Sequence, residues 1–392
     1  MKKQKLMLVL GIRPDVIRAS LIIKQLKNAL HSEFVFVWSG QHYSSNLKDV
    51  FFNELEVPAP NYELRLKSDS EPHFIGELIP AISRLIEKEN PSICCFLGDT
   101  NTVLGSLACA TLNVPIAHIE GCMRSYDWRM PEEKYRTVID HLSDVIYAYL
   151  PSYKQQGLSE GLDPRNIIVT GNPIVDVLQH FYLSGRIRLT DSELSSLHAN
   201  YKVSRDHFLL MTSHRRENVE TYSSLKTIVR TAAATDYPVI FPASYRTQRS
   251  LKDFGIVLPD NVTVVDPLGY VEFLELLTSA RYVLTDSGTV VEEAAVLGVP
   301  SIQMRSSTER PEVYECGASI KLDPHSVVTI SDIAAKHELA EELRNRVWSH
   351  GLGAGDASQL IVNDLLNRLD GQMSLRGHQL QGSGKPFERN WQ

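Results

Sequence analysis

Two carboxylates stand where short apolar runs give way to capping or glycine-containing segments, and a third follows twelve residues after the second. They are Asp99 in Gly98-Asp99-Thr100-Asn101-Thr102, Glu120 in Glu120-Gly121-Cys122-Met123-Arg124, and Glu132 in Pro131-Glu132-Glu133-Lys134-Tyr135-Arg136. A carboxylate in a desolvated crevice can take a proton from a substrate or return one. Each also has a plainer reading. Asp99 taken alone reads first as a helix N-cap, and one of Glu132 and Glu133 as a charge favoured by a helix start. Three acids from separate strand ends reaching one crevice would instead be proton-transfer equipment. A further turn, Gly11-Ile12-Arg13-Pro14-Asp15, joins a glycine, an arginine and a helix start into an expected anion site.

The second half of the chain carries the complementary chemistry. Ser213-His214-Arg215-Arg216-Glu217-Asn218 follows one apolar run, and Asp286-Ser287-Gly288-Thr289 with Glu292-Glu293 follows another. Ser287, Gly288 and Thr289 would present backbone amides to a phosphate at a helix start. Glu293, one turn on, would accept the two hydroxyls of a ribose. Arg310 suits planar, two-pronged phosphate contacts, whereas Arg215, Arg305 and Lys134 taken singly read as surface ion pairs. Carboxylates on one side and His, Arg and helix starts on the other fit a sugar nucleotide. Its diphosphate and nucleoside would lie on the second half and its sugar against Asp99, Glu120 and Glu132.

The elements that position these residues follow from periodicity. Short apolar runs alternate with segments of helical period, which predicts parallel sheets covered by helices on both faces. Strands are expected at Leu6–Leu10, Phe34–Trp38, Ile93–Leu97, Ile116–Ile119, Val145–Tyr149 and Ile167–Thr170, with helices at Pro14–Leu30, Pro72–Lys88, Thr102–Leu112 and Glu132–Ser143. The alternation restarts with strands at Phe208–Thr212, Val239–Pro242, Val262–Val265, Tyr282–Thr285, Ser301–Met304 and Ile320–Leu322. Helices at Tyr222–Ala234, Val271–Ala280 and Val290–Leu297 separate them. The expected fold is α/β, two Rossmann-like doubly wound domains facing a central cleft. Residues 1–172 and 173–355 form the two, a helix over Ile174–Phe181 leads across, a helix over 356–370 rejoins the first, and 371–392 is a polar tail.

Composition bounds the rest. The 392 residues carry a net charge of −7, 43% hydrophobic and 22% charged residues, so two ordinary globular domains are expected. No Lys/Arg stripe supports nucleic-acid binding, and no apolar run approaches the roughly 18 residues of a membrane span. The five cysteines are odd in number and lack CxxC spacing. Neither a disulfide framework nor a metal site is expected, and a cytoplasmic protein fits.

Taken together these motifs resemble the non-hydrolysing UDP-N-acetylglucosamine 2-epimerases. The resemblance runs in the family's order through Gly11 to Asp15, Gly40-Gln41-His42, Gly98-Asp99-Thr100, Glu120 to Arg124, Pro131-Glu132-Glu133, His214 to Glu217, Asp286-Ser287-Gly288 with Glu292-Glu293, and Glu309-Arg310-Pro311-Glu312. It covers about residues 5 to 370. It implies a glycosyltransferase-B-like architecture, usually a homodimer, acting on a UDP-sugar without a cofactor. UDP-GlcNAc and UDP-ManNAc interconvert by UDP elimination and re-addition through a 2-acetamidoglucal, for surface polysaccharide precursors. By this resemblance Asp99, Glu120, Glu132 and His214 are catalytic, His214 at the departing phosphate. Arg13, Gln41, His42, Arg136, Phe273, Ser287, Gly288, Glu293 and Arg310 bind substrate, with Phe273 on the uracil side.

The chain departs from the family at several points. Arg18 replaces the lysine usual in the main branch, Glu120-Gly121-Cys122 replaces Glu-Ala-Gly, and Thr289 replaces the second glycine of Asp-Ser-Gly-Gly. Ser244 stands where many bacterial members use a histidine to hold a second, activating UDP-GlcNAc. Ile17-Arg18, Gly40 to Tyr43, Asn101 and Asp286 to Thr289 look closer to the branch that forms UDP-L-FucNAc, whereas His214 to Glu217 and Thr308 to Pro311 look like the main branch. A hydrolysing 2-epimerase ranks below epimerisation, because such relatives tend to carry Gly-Asp-Arg at Gly98-Asp99-Thr100. A UDP-sugar glycosyltransferase and a catalytically silent sugar-nucleotide sensor are the remaining alternatives.

Overall fold

The computed structural model describes residues 4–40, 51–66 and 70–371, so the expected contacts of Gln41 and His42, and the tail past Gly371, lie outside the described residues. The chain divides into two compact units, one running to Val177 and resuming at Gly353, the other Leu178–Leu352.

In the first unit β1 (Leu6–Leu10), β2 (Phe34–Trp38), β3 (Tyr62–Glu63), β4 (Ile93–Leu97), β5 (Ile116–Ile119), β6 (Val145–Ala148) and β7 (Ile167–Val169) form one sheet in the order β3-β2-β1-β4-β5-β6-β7. All its pairings are parallel. Every residue of β1 and β4 is buried, because helices cover both faces and leave no polar side to alternate with. The core beneath gathers Met7, Val9, Phe96, Leu78 and Ile139.

In the second unit β8 (Leu209–Thr212), β9 (Val239–Pro242), β10 (Val262–Val265), β11 (Val283–Thr285), β12 (Ser301–Met304) and β13 (Ser319–Leu322) pair in parallel in the order β10-β9-β8-β11-β12-β13. Leu209, Met211, Ile228, Phe241 and Leu284 lie in its core.

Each sheet reverses its strand order once, between β1 and β4 in the first unit and between β8 and β11 in the second. The crossovers on either side of such a point leave on opposite faces, so the carboxyl ends of those strands open onto a crevice. Gly11 to Asp15 and Asp99 follow β1 and β4, while His214 and Asp286 to Thr289 follow β8 and β11.

The expected strands are all present within a residue of their predicted ends, and β3 is an addition. Two helices differ in form. The expected Thr102–Leu112 helix opens as a 3₁₀ stretch, Asn101–Gly105, before becoming α-helical over Ser106–Thr111. This tighter winding brings the Thr102 hydroxyl within 2.8 Å of Ser39 after β2. The expected Ile174–Phe181 helix is α-helical over Pro173–Val177 and π-helical over Leu178–Leu183. Pro173–Val177 falls in the first unit, beyond the expected boundary at 172.

The Ala357–Leu369 helix packs on the Arg13–Leu30 and Pro173–Val177 helices of the first unit. Asp176 accepts the amides of Ala357 (3.3 Å) and Ser358 (2.5 Å), two of the donors that a helix start leaves without partners. The Tyr147 hydroxyl donates to Asp364 at 2.8 Å.

Candidate active site

After β1 the Gly11 and Ile12 amides, at 3.3 and 3.1 Å, donate to the carboxylate of Asp15 in the first turn of the Arg13–Leu30 helix. The expected anion site is therefore filled by an anion of the chain itself, since a buried carboxylate three residues on satisfies the donors a phosphate would need. Burial raises the Asp15 carboxyl to about 6, with Arg18 and the two amides opposing that rise. Arg13 instead lies over the Phe51 ring, 4.0 Å from its centroid.

Buried Arg18 bridges two acids. Its Nη2 lies 3.2 Å from Asp15 Oδ1, its Nη1 pairs with Glu120 Oε2, and its Nε donates to the Pro14 carbonyl at 3.3 Å. Glu120 is 2% exposed and also accepts the Tyr149 hydroxyl at 3.2 Å. Its backbone is left-handed, φ +74°, as are Cys122 (+66°) and Tyr126 (+56°). Non-glycine residues seldom adopt that conformation without a functional or packing demand. At Gly121 a Cβ would lie 2.2 Å from Ile146 Cγ2 and 2.8 Å from Asp140 Oδ1. The family's alanine at this position would therefore require Ile146 and Asp140 to shift.

Asp99 does not cap a helix. Thr100 occupies the cap of the Asn101–Gly105 turn, and Asp99, about a fifth exposed, pairs with Arg136 Nη2. Arg136 Nη1 donates to Glu133 at 2.7 Å. Glu133 also accepts the Ser125 amide and hydroxyl and the Tyr126 amide, all within 3.1 Å. The two neighbouring glutamates thus divide their work: Glu133 clamps the loop after Glu120, and half-buried Glu132 sits in the first turn of the Pro131–Leu142 helix.

Behind these acids lies a buried network. His118 on β5 meets Asp140 Oδ1 through Nδ1 and the Gly98 carbonyl through Nε2, both at 2.8 Å. Asp140 Oδ2 accepts the Cys122 amide (3.0 Å) and Arg124 Nη1 (2.7 Å), and Arg124 reaches on to Glu160 at 2.6 and 2.8 Å. Burial pushes the Asp140 carboxyl up, but His118 and Arg124 outweigh it and hold the group below the ordinary aspartate value.

In the second unit, fully buried Asp286 organises the turn after β8. It accepts the Ser213 hydroxyl (2.8 Å), the His214 and Arg215 amides (3.1 Å each) and the Asn218 side chain (3.0 Å), and lies 3.4 Å from His214 Nδ1. This leaves the His214 ring half exposed, with a carboxylate behind one nitrogen. Ser287 caps the Gly288–Leu297 helix, its hydroxyl accepting the Val290 amide at 3.3 Å, while its own amide donates to Thr285. The Ser287 amide, expected to face a phosphate, is thus used internally. Arg310 lies against that helix start. A Cβ on Gly288 would fall 2.6 Å from Arg310 Nη1.

Around Arg310 a buried cluster sets three guanidinium groups, Arg215, Arg305 and Arg310, against Glu292 and Glu309. Arg305, which read as a surface ion pair, is 2% exposed. Burial, with Arg215 and Arg310 beside it, pushes its pKa below the ordinary arginine value. Guanidinium groups beside a helix start suit a bound anion. Glu293 accepts the Tyr270 hydroxyl at 2.8 Å, and half-buried Phe273 lies on that same Tyr270–Ser279 helix. Ser244, at the position of the family's activator histidine, caps the Tyr245–Asp253 helix through the Thr247 amide at 3.2 Å.

Sequence reasoning missed the contacts of His118, Asp140, Tyr149 and Tyr270 with the candidate site residues, which arise from long-range packing. The signal available for His118 was a polar residue inside an otherwise apolar strand, two positions before Glu120. Among the described residues no group of three or more His, Cys, Asp or Glu side chains is arranged to hold a metal ion, and no helix is long and apolar enough to cross a membrane.

Two parallel-sheet α/β domains, with acids at the strand ends of one and arginines beside a helix start in the other, define a glycosyltransferase-B-like enzyme. A family model described as UDP-N-acetylglucosamine 2-epimerase matches residues 24–366, and the chain belongs to that family of isomerases. The UDP-N-acetylglucosamine 2-epimerase of Methanocaldococcus jannaschii is 36% identical over 371 residues, covering 92% of this chain and 98% of the relative. A crystal structure of the M. jannaschii UDP-GlcNAc 2-epimerase in complex with UDP-GlcNAc and UDP superposes with a TM-score of 0.83, over 93% of this chain and 99% of that one, at 34% identity. A UDP-2,3-diacetamido-2,3-dideoxy-D-glucuronate 2-epimerase of Pseudomonas aeruginosa is 34% identical over 320 residues, 81% of this chain and 87% of the relative.

Proposed function

We propose that this protein interconverts UDP-GlcNAc and UDP-ManNAc, the first unit supplying the acid/base carboxylates and the second the groups that hold UDP. The observation that carries the reading is the placement of opposite chemistries at the two strand-order reversals, Asp99 after β4 and His214 with Ser287 after β8 and β11. Asp99, Glu120 and Glu132 are the acid/base groups. One takes the proton from the carbon bearing the acetamido group as the bond from C1 to the diphosphate oxygen breaks. The electron pair of the C–H bond becomes the C1–C2 double bond of the glycal, and UDP leaves with the other pair.

His214, Arg310 and the start of the Gly288–Leu297 helix stabilise the departing diphosphate. Arg13 and Arg136 bind the substrate as well, Glu293 takes the ribose hydroxyls, and Phe273 lies beside the uracil. A proton then reaches C2 from the opposite face, and the diphosphate oxygen re-forms the bond to C1. The working form is a cytoplasmic homodimer that supplies surface polysaccharide precursors.

The test is proton NMR with UDP-GlcNAc in deuterated water. UDP-ManNAc carrying deuterium at C2 supports the reading, and free ManNAc with UDP refutes it in favour of hydrolysis. Glu132→Gln is expected to cut turnover by about a hundredfold with UDP affinity within about twofold; a fall in affinity alone would remove Glu132 from its role. The similarity to the P. aeruginosa diacetamido-glucuronate enzyme supports a second reading, a 2-epimerase of a modified UDP-HexNAc. Deuterium entering a 6-deoxy, uronic or diacetamido UDP-sugar, and not UDP-GlcNAc, would select it.

A further inference from the structure

We propose that His118 is the positioning residue of the acid/base apparatus, a buried imidazolium that fixes the three elements carrying Asp99, Glu120 and Glu132 relative to one another. The proposal rests on the epimerase reading above.

The contacts define the role. His118 Nε2 holds the Gly98 carbonyl, one residue before Asp99, at 2.8 Å. His118 lies on β5 two residues before Glu120. Its Nδ1 holds Asp140 at 2.8 Å, and Asp140 lies on the Pro131–Leu142 helix whose first turn carries Glu132. Asp140 in turn accepts the Cys122 amide, so the loop on the far side of Glu120 is tied to the same pair. One ring thereby touches β4's turn, β5 and the helix, all within a pocket where His118 and Asp140 are both fully buried.

The charge state follows from the partners. A backbone carbonyl and a carboxylate can only accept, so both ring nitrogens must carry hydrogen. A neutral ring would set a nitrogen lone pair against an oxygen lone pair at one of the two contacts. The titratable and charged groups facing the site are Asp140 and His141 from the Pro131–Leu142 helix, Arg124 from the loop after β5 and partly exposed Glu160 after the Pro151–Ser159 helix, which pairs with both Arg124 and His141, with the buried Cys122 thiol beside them. Asp140 is the carboxylate that is fully buried, and an imidazolium at His118 faces it directly.

The position of Gly121 shows how tightly the pair is enclosed. A Cβ there would lie 2.8 Å from Asp140 Oδ1 and 3.1 Å from His118 Nδ1. The pocket therefore has little room to let the ring tilt, and a rigid ring holding three elements transmits its position to the acids they carry.

The test uses the full-length enzyme and two variants, His118→Gln and Asp140→Asn. A glutamine can reach Asp140 or Gly98 but not both, and an asparagine presents an NH2 where Asp140 accepts Arg124 and Cys122. Both variants are expected to lower kcat and C2 deuterium exchange about a hundredfold, as for acids displaced by a fraction of an ångström to one ångström. UDP affinity, which depends on the second unit, is expected to stay within about twofold. In the wild type labelled with ¹⁵N-histidine, one ring is expected to show two protonated nitrogens at pH 7.5, a signal that disappears in His118→Gln. A neutral tautomer at His118, or a variant turning over at the wild-type rate, overturns the proposal. Failure of both variants to fold overturns it too, since the pair would then hold the fold and not the acids. A wild type that exchanges no C2 proton on any UDP-HexNAc refutes the epimerase reading itself, which separates the two failures.

Discussion

Arg18→Lys would return this chain to the lysine of the family's main branch, yet the structure expects it to be destabilising, by an amount that depends on pH. Arg18 meets Glu120 through one terminal nitrogen and Asp15 through the other. A lysine carries its three donors on one nitrogen and lacks the fork by which the guanidinium meets the two acids from separate points, so the limiting case is that one acid loses its partner. Suppose it keeps Glu120. Burial has already moved the Asp15 carboxyl from 3.8 to about 6, which at about 1.4 kcal/mol per unit costs the ionised form about 3 kcal/mol. Without Arg18 the ionised form becomes costlier still, until taking up a proton is cheaper.

At pH 7 protonation costs about 4.4 kcal/mol relative to the unfolded chain, so the added loss is capped at about 1.4 kcal/mol. The cap vanishes near pH 6 and reaches about 2.7 kcal/mol at pH 8. The sign follows from linkage: the variant's folded state binds the extra proton, so its stability falls relative to wild type as pH rises above 6. If the ammonium instead keeps Asp15, Glu120 is the group that loses its cation, and turnover falls along with stability. Urea unfolding of both proteins at pH 6, 7 and 8 measures the difference. A gap that stays flat across this range, or is absent at pH 8, would refute the reasoning that Arg18 keeps two buried carboxylates ionised.

Two further outcomes are expected. Gly288→Ala sets a methyl group 2.6 Å from Arg310 Nη1 and 2.8 Å from its Cζ, and should displace the guanidinium from the helix start; titration calorimetry with UDP is expected to show at least about a tenfold loss of affinity, about 1.4 kcal/mol. Asp176→Ala leaves the buried amides of Ala357 and Ser358 without their acceptor, a loss of about 2 kcal/mol, read as faster hydrogen exchange through the Ala357–Leu369 helix; unchanged protection there would show that packing alone holds it.

The sheets were legible because their strands are buried on both faces and so appear as unbroken apolar runs such as Leu6–Leu10 and Ile93–Leu97. β3 was not, because two residues at a half-exposed edge carry no periodic pattern. Asp99 and Glu120 could be picked out because strand ends are where such folds place their chemistry, and Glu132 because it opens a helix a short loop after Glu120. Their partners could not. Which acid Arg136, Arg18 or His118 meets depends on elements 22 to 102 residues apart coming together. The same limit explains the turn after β1, where amides that read as open to a ligand are taken by Asp15.

The helix Ala357–Leu369 completes a domain that the chain began at its other end. During synthesis the ribosome delivers the whole of Leu178–Leu352 before the side of the Arg13–Leu30 helix that receives Ala357–Leu369 can be covered. The second unit, being one continuous stretch, can therefore mature while the first still waits for its last piece. A nascent chain stalled before Ala357 would expose that apolar side of the Arg13–Leu30 helix and leave Asp176 facing no amides, the kind of surface chaperones recognise. The order of assembly thus runs opposite to the order of the genetic message, with the acid-bearing domain finished last.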